Sequence, residues 1–177
     1  DVYRRELPAT RSAVQVATVA NFPGGTSEID RVVDDVCEAL DDGAHEIDLV
    51  LPYRAFREGD AEMGAEMIGA VRDVVDQGRV LKVILETGEL TTPSLIAAAS
   101  RLAIETGADF LKTSTGKTAI SATLEAVEIM LQQIQQAGRP IGIKPSGGIR
   151  TVADAALYLE LGDRMLGAGW ATPGTFG

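Results

Sequence analysis

The stretch DFLKTSTGKTAI, Asp109 to Ile120, sets a lysine, Lys112, at the end of an apolar run that leads into a polar loop. Lysine is seldom buried without a partner, so this placement needs a structural or a chemical cause. Two more lysines and an aspartate occupy comparable places: Lys82 in LKVILE, Lys144 in IGIKP and Asp48 in EIDLVLP. Ammonium groups crowded together and partly withdrawn from water are disfavoured in their charged form, which leaves a fraction as free amine near neutral pH. A free amine attacks a carbonyl to give a Schiff base. The resulting iminium withdraws electrons from the adjacent carbon, so that a carbon–carbon bond there can break or form. A carboxylate such as Asp48, directly or through a water, could then move the protons. The competing account is a buried ion-pair cluster with no activity, and of the four residues Lys82 fits it best.

A second set of residues could hold an anion. KPSGGIRT places Gly147 and Gly148 between a strand-like run and a helix start, where glycines let backbone N–H groups approach negative charge. Arg150 could add a charged contact, and Gly116 with Lys117 in STGK offers a second cradle. A glycine pair in such a loop is ordinarily only a turn. TSTGK is not a nucleotide-binding loop of the GxxxxGK[ST] type, because that spacing is absent.

The elements that must carry these groups repeat. Strand-like runs begin near Val14, Ile47, Val80, Phe110, Ile141 and Met165, at intervals of 33, 33, 30, 31 and 24 residues. Amphipathic stretches lie between them, with Gly43, Gly78, Gly107, Gly138 and Gly162 placed as helix terminators. Thr26 or Ser27, Thr92 before Pro93, and Thr151 with Asp154 are the expected helix starts. Strands alternating with helices at this spacing predict a parallel sheet with right-handed crossovers.

Parity along the strands separates an open sheet from a barrel. Ile47, Leu49 and Leu51 fall on one face and Asp48 on the other; Leu81, Val83 and Leu85 oppose Lys82 and Glu86; Ile143 opposes Lys144; Phe110, Lys112 and Ser114 share a face. Open parallel sheets are covered on both sides and favour continuous apolar strands, so a recurring charged face fits the mouth of a barrel better. No GxGxxG follows the first strand, which further weakens a dinucleotide-binding reading. The expected fold class is α/β, a (β/α)₈ TIM barrel of which residues 1–177 supply about six βα units as a single incomplete domain. A complete barrel typically needs about 250 residues. The reading leaves two units missing from the front, where DVYRREL resembles a helix, and a final helix missing from the end.

Composition narrows the partners. With 16 basic and 26 acidic residues the net charge is −10, which opposes attraction to nucleic acid or to an anionic membrane. No apolar run reaches the roughly 18 residues of a membrane span, so cytoplasm is the expected compartment. Cys37, the lone cysteine, sits at helical spacing and reads as an inert core thiol. His45, the lone histidine, has no metal-ligand companion.

ATVANFPGG, EIDLVLPYRA, LKVILETGEL, DFLKTSTGK and IGIKPSGGIRT together resemble the deoxyribose-phosphate aldolase family of class I aldolases, over nearly all of the chain. The resemblance implies reversible cleavage of 2-deoxy-D-ribose 5-phosphate to acetaldehyde and D-glyceraldehyde 3-phosphate, with no metal or organic cofactor. It implies that Lys112 is the Schiff-base lysine, Lys144 the second lysine that perturbs it, and Asp48 the aspartate of proton transfer. Gly116, Lys117, Gly147, Gly148 and Arg150 match the segments that hold the sugar phosphate. The partners implied are a phosphorylated sugar and an aldehyde, and a homodimer is a possible assembly. The readings set against it are a noncatalytic sugar-phosphate-binding or truncated inactive relative, and a phosphosugar isomerase on a similar barrel.

Overall fold

The computed structural model describes residues 15–76 and 78–177. The helix expected at DVYRREL lies outside them. Among the described residues five strands form one parallel sheet in strict chain order: β1 (Ala17–Ala20), β2 (Glu46–Val50), β3 (Val80–Ile84), β4 (Phe110–Lys112) and β5 (Gly142–Lys144). The same residues form six helices between and after the strands: α1 (Ile29–Asp41), α2 (Tyr53–Arg57), α3 (Ala61–Val74), α4 (Pro93–Glu105), α5 (Leu124–Gln136) and α6 (Val152–Leu166). A doubly wound sheet reverses its strand order partway and packs helices on both faces. Here the order never reverses, and the long helices pack each against the next, α1 on α3, α3 on α4, α4 on α5 and α5 on α6. That is the wall of a barrel.

The apolar parity row forms the helix-facing side. Ile47, Leu49, Leu81, Val83, Leu85, Leu111 and Ile143 are buried, and the helices meet them with residues at helical spacing. In α1 these are Val32, Val36 and Leu40; in α5 they are Val127, Met130, Leu131 and Ile134. The acidic residues of α1 fall outside this stripe, as an amphipathic surface helix requires.

The helix starts follow local chemistry. The Thr92 hydroxyl accepts from the Leu95 N–H with Pro93 in the first turn, and Thr151 and Asp154 form a reciprocal capping box. At α1 neither Thr26 nor Ser27 caps; Glu28 takes that position without a side-chain bond, and the Thr26 N–H and hydroxyl go instead to the Asn21 side chain. Gly43, Gly107 and Gly138 terminate helices with positive φ, whereas α3 ends at Val74 with Val75 as its C-cap, ahead of Gly78.

The sixth strand expected at Met165 is not there. Met165 and Leu166 close α6, because Tyr158, Leu161, Gly162 and Met165 recur at three and four residues and the run ends at Gly167, φ +95°. Gly162 is therefore inside the helix, where a side chain would overlap the Trp170 indole. The next extended pairing comes at Phe176, which makes a parallel bridge to Ile143, with the Gly177 N–H donating to the Ile143 carbonyl at 3.1 Å.

One close approach shapes the inner face. A Cβ at Gly142 would overlap the buried Phe110 ring beside it. Gly142→Ala is expected to destabilise the fold by about 1–3 kcal/mol, seen as a lower denaturation midpoint at unchanged m-value.

Candidate active site

Strand register assembles the charged groups. Asp48 pairs with Lys82 and Lys82 with Phe110, forming one row across the inner face; Ile84, Lys112 and Lys144 form the row above it, nearer the C-terminal ends. The Lys112 ammonium reaches down to Asp48 Oδ2 at 2.6 Å, and Lys82 donates to Asp48 Oδ1 at 3.0 Å. Lys82 also donates to Glu46 Oε2. The side chains of Asp48, Lys82 and Lys112 are 7%, 5% and 12% exposed, so each charge depends on its neighbours more than on water.

The structure thus brings together Asp48, Lys82 and Lys112. Lys144 stands beside Lys112 in register and makes no ion pair among the described residues. Lys82 and Lys112 together meet two carboxylates, Asp48 and Glu46. Burial pushes the Asp48 carboxyl up, but the Lys112 hydrogen bond and charge, with those of Lys82, outweigh it and hold the group below its ordinary value of 3.8. A carboxylate lowered on folding contributes stability that is complete above its unfolded value and is lost as pH falls through the folded one. The stability gap between the wild type and Asp48→Asn, measured by denaturant titration, is therefore expected to narrow as pH falls below 3.8.

The loops above the strands are tied to one another. The Ser114 hydroxyl donates to the Ser146 carbonyl and the Ser146 hydroxyl to the Ser114 carbonyl, each at 2.6 Å, while the Ser146 N–H donates to Thr113 Oγ1 at 2.9 Å. This reciprocal latch joins the β4 loop to the β5 loop. It brings Gly147 against Gly116: a Cβ at Gly147 would lie 2.6 Å from the Ser121 side chain and 3.4 Å from the Gly116 Cα. Gly116, Gly147 and Gly148 all have positive φ. Lys117 and Arg150 are exposed at the rim, and Arg150 immediately precedes the N-cap of α6. Its N–H donates to Asp154 Oδ2 at 3.0 Å, and this bond with the capping box holds the exposed Asp154 carboxyl below its ordinary value.

A cavity of about 420 Å³ runs from the N-terminal strand ends along the inner face, lined by Arg79, Asp109 and Pro140 at those ends and by Glu46, Lys82 and Lys144. It reaches Lys82 and Lys144 but not Lys112 or Asp48. His45 is structural: its Nδ1 accepts from the Val16 N–H at 3.0 Å.

Two participants escape sequence reasoning. Glu46 lies on the charged face by parity, yet only the register shows that Lys82 bridges it to Asp48. Glu86 continues the parity of Lys82 and Ile84, but the strand has ended and φ +55° turns its side chain under the β4 loop, onto Thr115 and Thr118.

The family model for DeoC/LacD family aldolases matches residues 3–172. The chain is 53% identical over 163 residues to the deoxyribose-phosphate aldolase of Agrobacterium fabrum, covering 92% of this chain and 63% of that protein. A provisionally assigned deoxyribose-phosphate aldolase from Toxoplasma gondii superposes with a TM-score of 0.85 at 30% identity, over 93% of this chain and 66% of that one. The tetrameric deoxyribose phosphate aldolase of Aeropyrum pernix does so with a TM-score of 0.71 at 27% identity, over 86% and 63%. The chain therefore spans slightly under two thirds of the length of these relatives. On the family match and the Agrobacterium identity, the chain belongs to the DeoC/LacD family of aldolases.

Proposed function

We propose that this chain forms most of the barrel of a class I aldolase that reversibly cleaves 2-deoxy-D-ribose 5-phosphate to acetaldehyde and D-glyceraldehyde 3-phosphate. The observation that carries the reading is Lys112 Nζ, within 2.6 Å of the largely buried carboxylate of Asp48 near the C-terminal strand ends of a parallel barrel wall.

The chemistry follows from that contact. Lys112 Nζ, having given a proton to its surroundings, attacks the aldehyde carbon C1 of the open-chain sugar, and loss of water leaves the iminium. A base removes the proton of the C3 hydroxyl; the C2–C3 bond breaks, and its electron pair flows into the iminium to give an enamine and free D-glyceraldehyde 3-phosphate. Protonation of the enamine at C2 and hydrolysis of the iminium release acetaldehyde and restore the amine. The water lost in the first stage is returned in the last. Asp48, directly or through a water, serves the proton transfers, since it already touches the reacting nitrogen. Lys144, the register neighbour of Lys112, adds positive charge beside the reacting nitrogen. Gly116, Lys117, Gly147, Gly148 and Arg150 would take the phosphate, using backbone N–H groups at a loop and helix start together with two rim cations.

Incubating the full-length polypeptide that carries this sequence with 2-deoxyribose 5-phosphate tests the proposal. Equal amounts of acetaldehyde and triose phosphate are expected. Saturable binding of the sugar phosphate with no cleavage would favour the noncatalytic binding protein, and conversion to a rearranged pentose phosphate would favour an isomerase.

A further inference from the structure

Glu86 is a fully buried carboxylate, and among the described residues no cation pairs with it. All its recorded side-chain partners come from one loop. The Thr115 N–H donates to Oε2 at 3.2 Å, the Thr115 hydroxyl donates to the same oxygen, and the Thr118 hydroxyl donates to Oε1 at 3.0 Å. Thr115 Oγ1 in turn accepts from the Lys117 N–H at 3.1 Å. The chain from Glu86 therefore runs through Thr115 to Lys117 and encloses Gly116.

Two costs accompany this arrangement. A non-glycine residue at φ +55° is strained, and a carboxyl group buried without a counter-charge must be satisfied by hydrogen bonds alone. A glutamine in its place would turn an N–H₂ group toward one of the donors; a carboxylate accepts on both oxygens at once. Glu86 thus gathers three donors of the loop in one geometry, and its side chain bonds to neither Lys112 nor Asp48.

We propose that Glu86 is a positioning residue that holds the Thr115–Thr118 turn in the shape by which Gly116 and Lys117 take the phosphate of the substrate. The nature of the anion rests on the aldolase reading; the hold on the loop does not.

Two measurements on the full-length polypeptide and its Glu86→Ala variant test this. Amide hydrogen exchange across residues 113–118 is expected to accelerate about tenfold or more while β2 and β3 keep their protection. The KM for 2-deoxyribose 5-phosphate is expected to rise about tenfold, while kcat/KM for unphosphorylated 2-deoxyribose stays within about twofold. Glu86→Gln is expected to fall between the wild type and Glu86→Ala in both. Unchanged exchange in the loop overturns the proposal, and so does an equal loss for both sugars, which would mark a general role in the fold. A wild-type protein that cleaves neither sugar overturns the aldolase reading instead, and the exchange data then decide by themselves whether Glu86 holds the loop. Should Glu86→Ala fail to fold, Thr118→Val, which removes the hydroxyl that serves Glu86 Oε1 and the Ile120 carbonyl, is expected to change both readouts in the same direction.

Discussion

Lys112→Arg is expected to lower kcat/KM for cleavage of 2-deoxyribose 5-phosphate by about 10⁴-fold or more, because it removes the nucleophile and leaves the rest of the site in place. Arginine retains the positive charge and can still donate to Asp48, so the ion-pair cluster persists. It stays protonated in proteins and cannot form the imine. The substitution therefore separates the chemical role of position 112 from its electrostatic one. A variant with wild-type turnover would mean that no imine is made there and would favour proton transfer without covalent catalysis, as in an isomerase.

Asp48→Asn is the second large effect. The amide keeps the shape but can neither accept a proton at neutral pH nor balance Lys82 and Lys112, which both point at it. Steady-state kinetics are expected to show kcat lowered by about 10²- to 10⁴-fold, the usual contribution of a positioned acid or base. Unlike Lys112→Arg, this variant retains the amine and is expected to form the imine slowly. Adduct formed without efficient turnover distinguishes a proton-transfer defect from loss of the nucleophile. Lys82 remains paired to Glu46 in the variant, so much of the interior charge balance survives.

Much of this arrangement is legible before any coordinates. Strand side chains alternate without exception over short runs, so counting by twos places Asp48, Lys82, Lys112 and Lys144 on one face, and the register bears this out. The regular spacing of the runs likewise implies neighbouring parallel strands, as found. The expectation at MLGAGW fails because a short apolar run carries no period of its own. Only its continuity with Tyr158 and Leu161 shows that Met165 belongs to a helix.

The loops were the least legible part. Parity ends where the strand ends, and Glu86 shows the consequence: two residues beyond β3 a positive φ redirects a side chain that counting would send into the barrel. The Ser114–Ser146 latch joins residues 32 apart through hydroxyls that look like ordinary loop serines. Glu46 carries the right parity, but nothing in its neighbourhood along the chain reveals that Lys82 will lie across from it. Contacts of this kind depend on which strands become neighbours, and that is a property of the whole sheet.

Trapping with borohydride tests the central claim most directly. The full-length protein, incubated with acetaldehyde and reduced in place, is expected to gain one ethyl group, located by peptide mass analysis on the Lys112 side chain and absent from Lys112→Arg. A folded, reduced sample in which Lys112 stays unmodified, or in which the ethyl group sits on Lys82 or Lys144 instead, would contradict the account.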